Sequence, residues 1–253
     1  MLPFITIFGR EIPVYGLCFT AGMILAVWVA CLLSKNSHIK DYDVQYSAVI
    51  AGIGGLIGAK LLFIIVSWKT IMEYDLSFMD VMKGGFVFYG GLIGGIIGLF
   101  IYVKGYKLDA GDFFDLFATV IPFGHAIGRV GCFLGGCCYG MEYDGPLSVT
   151  YHINIGNTPT GVPLFPVQLA EAFLLLILFG VMVWIYKREH QKWTPVIVYG
   201  FAYCIIRFVL EYLRGDKLRG FALGMSTSQL ISLIFAVALF ILLIIRSKNK
   251  AKQ

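Results

Sequence analysis

Seven separate runs of mostly apolar residues, each about as long as a bilayer is thick, constrain this chain more than anything else in it. They fall at roughly 14–33, 46–67, 85–103, 113–134, 166–186, 195–213 and 227–245. About 20 apolar residues suffice for a spanning helix. Inside lipid, backbone N–H and C=O groups must pair within the protein, which leaves helices for runs of this length. At 58% hydrophobic and 14% charged, with a mean hydropathy of +0.82, the chain is too apolar for an ordinary soluble domain. The expected fold is therefore an all-α membrane protein of about seven transmembrane helices, one polytopic domain over residues 1–253. The first run lacks a basic flank and a small-residue cleavage site, so it is expected to be a retained helix and not a removed signal peptide.

Charge sets the expected orientation. Lys35, Lys40, Lys104, Lys107, Lys187, Arg188, Lys192, Arg246, Lys248, Lys250 and Lys252 gather at one set of helix ends, and Arg10, Lys69, Lys83, Arg214, Lys217 and Arg219 at the other. The richer side should be cytoplasmic, which places the C-terminus inside and the N-terminus outside. Residues 141–165 contain no Lys or Arg and emerge outside on this reading. Asp144-Gly145-Pro146 and Asn157-Thr158-Pro159-Thr160-Gly161 are turn chemistry, and Leu147–His152 alternates and suits a short strand. A small extracytoplasmic cap is expected there. The net charge of +5 is explained by topology, and no basic stripe with interleaved aromatics points to nucleic acid.

Gly128–Gly140 reads G-R-V-G-C-F-L-G-G-C-C-Y-G. A permanently charged guanidinium at bilayer depth is costly and usually faces a cavity or an ionic ligand. Glycines around Arg129 let backbone or a headgroup come close. Pro122 and the glycines from Gly124 onward should break or kink the fourth run and place it in a cavity wall. A site for an anionic, lipid-soluble substrate is the reading. The second run carries Gly52, Gly54, Gly55 and Gly58, and the third Gly84, Gly85, Gly90, Gly91, Gly94, Gly95 and Gly98, a pattern for close helix packing; Gly90-Gly91 beside Tyr89 also offers backbone to a ligand.

Other polar groups lie where they are expensive. Arg207, Glu211 and Arg214 share one helical face, either as a structural Arg–Glu pair or as guanidiniums converging on a phosphate with Glu211 orienting one of them. Lys60 either snorkels or pairs with Glu171. His125 is a core histidine or a base, and Tyr15 an interfacial anchor. Cys18, Cys31 and Cys204 are small core residues. Cys132, Cys137 and Cys138 admit a disulfide, simple packing, or a catalytic thiol activated by Arg129. A soft-metal centre needs more ligands than the local sequence offers, so no metal is expected.

The chain resembles the bacterial prolipoprotein diacylglyceryl transferases over nearly its whole length. Gly128, Arg129, Gly131, Phe133 and Gly140 match the family signature G-R-x-G-N-F-x-N-x-E-x-x-G in register. Tyr15-Gly16, Gly90–Gly94, Phe165–Glu171, Arg207-Phe208 with Glu211 and Arg214, and Ser226 with Gln229 are similar to five further family motifs in the same order. The resemblance implies a seven-helix enzyme of the bacterial cytoplasmic (inner) membrane, without metal or other cofactor. Such an enzyme moves diacylglyceryl from phosphatidylglycerol to the lipobox cysteine of a prolipoprotein signal peptide, releasing glycerol phosphate, in lipoprotein biosynthesis. It implies functional roles for Tyr15, Arg129, Gly140, Arg207 and Glu211, with Arg129 and Arg207 on the phosphate; to these the expected site adds either Tyr89 or a signature cysteine, Cys132 or Cys137, for proton removal, and Arg214 and Gln168 for substrate binding. Cys132, Gly135 and Cys137 stand where the signature has asparagine, asparagine and glutamate, and Tyr89 and Phe165 where the family has histidines. Those departures admit a paralogue with another acceptor, a non-catalytic phospholipid-binding or transport protein, or a membrane thiol-redox protein.

Overall fold

The computed structural model describes residues 3–7, 9–35, 37–153, 158–216, 221–222 and 225–250. Asn157, Lys217, Arg219 and Lys252, which entered the turn and charge readings, lie outside them. In chain order the elements are β1 (Phe4–Ile7), β2 (Arg10–Pro13), α1 (Val14–Ser34), α2 (Asp41–Val66), α3 (Trp68–Glu73), α4 (Phe78–Lys83), α5 (Phe88–Gly105) and α6 (Ala110–Leu134). Then come β3 (Val149–Thr150), β4 (Pro163–Leu164), α7 (Val167–Tyr186), α8 (Thr194–Glu211), β5 (Phe221–Ala222), β6 (Met225–Ser226) and α9 (Thr227–Lys250). Among the described residues seven helices, α1, α2, α5, α6, α7, α8 and α9, are long and apolar enough to cross a membrane. The chain forms two compact units, residues 30–113 and residues 1–29 with 114–253.

In the unit of residues 30–113, α2 and α5 pack through glycine. Gly54 and Gly58 face Gly94 and Gly90 so closely that a Cβ on any of the four would run into the opposite backbone, and one on Gly98 would lie 2.7 Å from the Ile50 carbonyl oxygen. Backbone dispersion replaces side-chain packing where lipid offers no hydrophobic drive. The Tyr102 hydroxyl donates to Asp43 Oδ1 at 2.8 Å, satisfying a buried carboxylate. Lys60 is held within its own unit. Its ammonium donates to the carbonyls of Val81, Met82, Gly84 and Gly85 at 3.0–3.2 Å and lies 4.5 Å from the centre of the Phe86 ring. A cation at the carboxyl end of α4 is where the helix dipole favours one.

In the other unit, α1 and α6 also approach through glycine, a Cβ on Gly124 falling 2.9 Å from the Gly22 carbonyl oxygen. The expected break at Pro122 is absent, since α6 continues through it to Leu134. Proline there forfeits only one N–H, and glycine contact with α1 holds the turns that follow. Asp115 of α6 accepts from the Trp193 N–H at 2.7 Å and the Val196 N–H at 3.3 Å, supplying the start of α8 with the acceptor its own sequence lacks. The strand expected at Leu147–His152 shrinks to Val149–Thr150, paired antiparallel with Pro163–Leu164.

Candidate functional site

The signature divides at the end of α6. Arg129 to Leu134 stay helical, and a Schellman turn closes the helix. The Gly136 N–H donates to the Phe133 carbonyl at 3.3 Å and the Cys137 N–H to the Cys132 carbonyl at 3.1 Å, with Gly136 at φ +69°. The chain then reverses toward Cys132, and Cys138 is held in the left-handed region at φ +57°. Two clamps fix the reversal: Thr158 Oγ1 donates to the Gly136 carbonyl, and Gln168 Nε2 to the Cys137 carbonyl at 2.8 Å. The sulfurs of Cys132, Cys137 and Cys138 all lie within 4.8 Å of one another.

Beyond the turn, residues 139–142 run between two other segments. The Met141 N–H donates to the Leu213 carbonyl, and the Phe165 N–H to the Met141 carbonyl. A Cβ on Gly140 would strike the Phe165 carbonyl oxygen. Backbone thus fills the space at Gly140, which joins the starts of α7 and the segment after α8 to the signature instead of offering room to a ligand. Gln168 is 1% exposed and makes its bond with the turn and a second, at 3.2 Å, with the Tyr151 hydroxyl. Gln168 thus clamps the turn, and its buried Oε1 has no hydrogen-bond partner among the described residues.

Two buried arginine–carboxylate pairs lie in this unit. Arg129 Nη2 is 2.9 Å from Glu171 Oε1, with side chains 13% and 2% exposed. Arg207 Nη2 is 2.5 Å from Glu211 Oε2 and donates to Ser228 Oγ at 3.1 Å. His125 and Tyr203 lie within electrostatic reach of both guanidiniums, so the two arginines share neighbours. Each arginine nevertheless keeps a buried nitrogen, Nε of Arg129 and Nη1 of Arg207, with no hydrogen-bond partner among the described residues.

Arg214 departs from the expected convergence. The helix ends at Glu211, so the shared face stops there. Arg214 instead grips Asp216 through Nε and Nη2 at 3.1 and 3.0 Å and is in hydrogen-bonding reach of the Cys138 sulfur. Burial pushes the Asp216 carboxyl above its usual range, against the pull of Arg214. The neighbouring thiols of Cys132 and Cys137 lower the Cys138 pKa most, and the charges of Arg214 and Arg129 add to this against burial. The Cys137 thiol donates to the Cys132 carbonyl at 3.7 Å, and the neighbouring thiols and burial together push its pKa up to about 11.

Tyr15, in the first turn of α1, packs against the signature. A Cβ on Gly135 would lie 3.5 Å from its Cβ. Tyr89 belongs to the unit of residues 30–113, at the start of α5 with its ring edge-on to Phe88. Glu171, Tyr203, Asp216 and Ser228 were not expected as site residues. Tyr203 was within reach of reasoning, since it precedes Arg207 by one helical turn on the same face; Glu171 was considered for the wrong cation, and Asp216 and Ser228 carried no signal of their own.

A small cavity of about 70 Å³ opens on the signature turn, lined by Leu134, Gly136, Tyr151 and His152 among others.

Among the described residues, seven helices long and apolar enough to cross a membrane define a multi-pass membrane protein, and its unit of residues 1–29 with 114–253 carries two buried arginine–carboxylate pairs. The chain belongs to the prolipoprotein diacylglyceryl transferase family, whose sequence profile matches residues 3–245. It is 34% identical over 230 residues to the phosphatidylglycerol–prolipoprotein diacylglyceryl transferase of Clostridium tetani (strain Massachusetts / E88), covering 90% of each chain. It is also 34% identical over 242 residues to the enzyme of that name from Dehalococcoides mccartyi (strain ATCC BAA-2266 / KCTC 15142 / 195), covering 94% of this chain and 90% of the relative.

Proposed function

We propose that this protein transfers the diacylglyceryl group of phosphatidylglycerol to the thiol of a lipobox cysteine in a prolipoprotein signal peptide, in the bacterial cytoplasmic membrane. One observation carries the reading. Two buried guanidiniums, each tied to a carboxylate on one side, keep on another a nitrogen without a hydrogen-bond partner among the described residues. A buried donor without an acceptor costs about 1–3 kcal/mol, and a phosphate oxygen would remove that cost. Donors placed where charge develops stabilise a departing phosphate monoester more than the diester it leaves. Arg129 and Arg207 are therefore assigned to the phosphate, with Glu171 and Glu211 holding them in place. Tyr15 is assigned to the headgroup beside the signature turn. Arg214, Gln168 and Gly140 position the turn, and Cys132 and Cys137 are assigned to the acceptor side.

The orientation follows from charge: the short cap and the N-terminus outside, the C-terminus in the cytoplasm. Retention of costly buried charge supports an enzyme over a passive lipid carrier.

The deciding experiment gives purified protein phosphatidylglycerol and a lipobox peptide, then measures glycerol phosphate and lipidated peptide. Both products should form, and Arg129→Ala should abolish both. Glycerol phosphate without lipidated peptide would reject the acceptor and keep the donor; absence of release from any anionic lipid would reject the reading.

A further inference from the structure

The three sulfurs at the end of α6 have no part in holding the phosphate, yet the chain builds their meeting place with care. The Schellman turn brings Cys137 and Cys138 back over Cys132, and the Thr158 and Gln168 side chains pin the two carbonyls before Cys138. Cys138 occupies a backbone region that costs a side-chain-bearing residue on the order of 1–3 kcal/mol unless its surroundings enforce it. A thiol needed only for packing would not require that conformation.

We propose that Cys132, Cys137 and Cys138 bind one thiophilic divalent cation of the zinc class, leaving its fourth coordination position for the acceptor thiol. Metal–sulfur bonds of about 2.3 Å put tetrahedral sulfurs roughly 3.8 Å apart. Sulfurs already within 4.8 Å of one another need move by about an ångström at most. No further His, Cys, Asp or Glu ligand joins the three among the described residues, and three protein ligands with one open position is the pattern of a catalytic site, not a structural one. Three thiolates around a dication carry one net negative charge. Arg214, in hydrogen-bonding reach of Cys138, and Arg129 nearby oppose it.

This inference rests on the transferase reading and supplies its missing step. A thiol that coordinates such a cation loses its proton, here to water. The acceptor sulfur then attacks the glycerol carbon of the lipid. The C–S bond forms as the C–O bond to phosphorus breaks, and the electron pair leaves on glycerol phosphate. The product thioether is neutral and a weak ligand, so it departs from the metal. A covalent detour through one of the protein's own thiols would instead end in a stable thioether.

Cobalt(II), a spectroscopic substitute for zinc, tests this on the full-length reduced protein in detergent. The wild type should bind one Co²⁺ with a sulfur-to-cobalt charge-transfer band and tetrahedral ligand-field bands. Cys132→Ser, Cys137→Ser and Cys138→Ser should each weaken binding by about tenfold or more, and Cys204→Ser should not. A cysteine-bearing lipobox peptide should add charge-transfer intensity for a fourth sulfur, while its serine counterpart should not. Wild-type protein without a charge-transfer band would overturn the proposal even if every serine variant failed to fold. A spectrum indifferent to the cysteine peptide would overturn the open position. Undiminished glycerol phosphate release and peptide lipidation by the triple serine variant would overturn the metal's role and leave the transferase reading intact. Normal Co²⁺ and peptide spectra without release from any anionic lipid would instead reject the transferase reading and support the metal site.

Discussion

Arg129 and Arg207 are each neutralised on one side and unsatisfied on another, a state that serves binding better than stability. Removing Glu171 would leave the Arg129 charge buried and uncompensated, at a cost of about 3–5 kcal/mol. Glu171→Ala should therefore lower the melting temperature in detergent markedly, read by circular dichroism. Glu171→Gln, which keeps a hydrogen-bond acceptor, should fall between it and wild type. If both variants melted like the wild type, the pair would carry no such energy. The same residues show what a linear reading can and cannot reach. Arg207 and Glu211 were legible because four residues along a helix make neighbours. Glu171 was visible as a buried acid, but three cations, Lys60, Arg129 and Arg207, lay in the apolar runs, and nothing local says that Lys60 turns to four carbonyls while Arg129 takes the carboxylate.

At the scale of elements, the α2–α5 contact and the end of α6 both depend on glycine, for different reasons. Between α2 and α5 the lack of a Cβ permits backbone contact; at Gly136 it is the left-handed conformation that matters. Gly94→Ala should therefore destabilise the protein in thermal melts, because its Cβ would meet the Gly54 backbone with nothing flexible to yield. Gly52→Ala should leave stability unchanged or raise it by up to about 1 kcal/mol, since that Cβ would meet nothing within 4 Å and alanine favours a helix. Equal gains from both would show that helix propensity and not contact governs this pair. The glycine ridge was readable from spacing alone. The uninterrupted course of α6 was not: proline's local penalty is fixed by sequence, but contact with α1 across Gly22 and Gly124 decides whether the helix continues.

For the whole molecule, orientation is the property most open to direct measurement. Leu147 is 85% exposed on the cap, and Lys187 follows α7 at the opposite end of that helix from the cap strand β4. In intact cells a membrane-impermeant maleimide should label Leu147→Cys and spare Lys187→Cys until the membrane is permeabilised. The reverse pattern would invert the topology. The division into units 30–113 and 1–29 with 114–253 had no mark in composition, because both are equally apolar and no polar linker separates them.

The sequence alone determined how many helices are fit to cross the membrane, nearly where each begins, and which glycines bring helices together. Partition into lipid sums over a contiguous run, and helical spacing is local, so both survive as linear patterns. Tertiary structure alone decided which carboxylate meets which arginine, that Arg214 leaves the helix for Asp216, and that three sulfurs converge at one turn. Coulombic and coordinate bonds act through space and are blind to position along the chain, so their partners emerge only once the backbone has been placed.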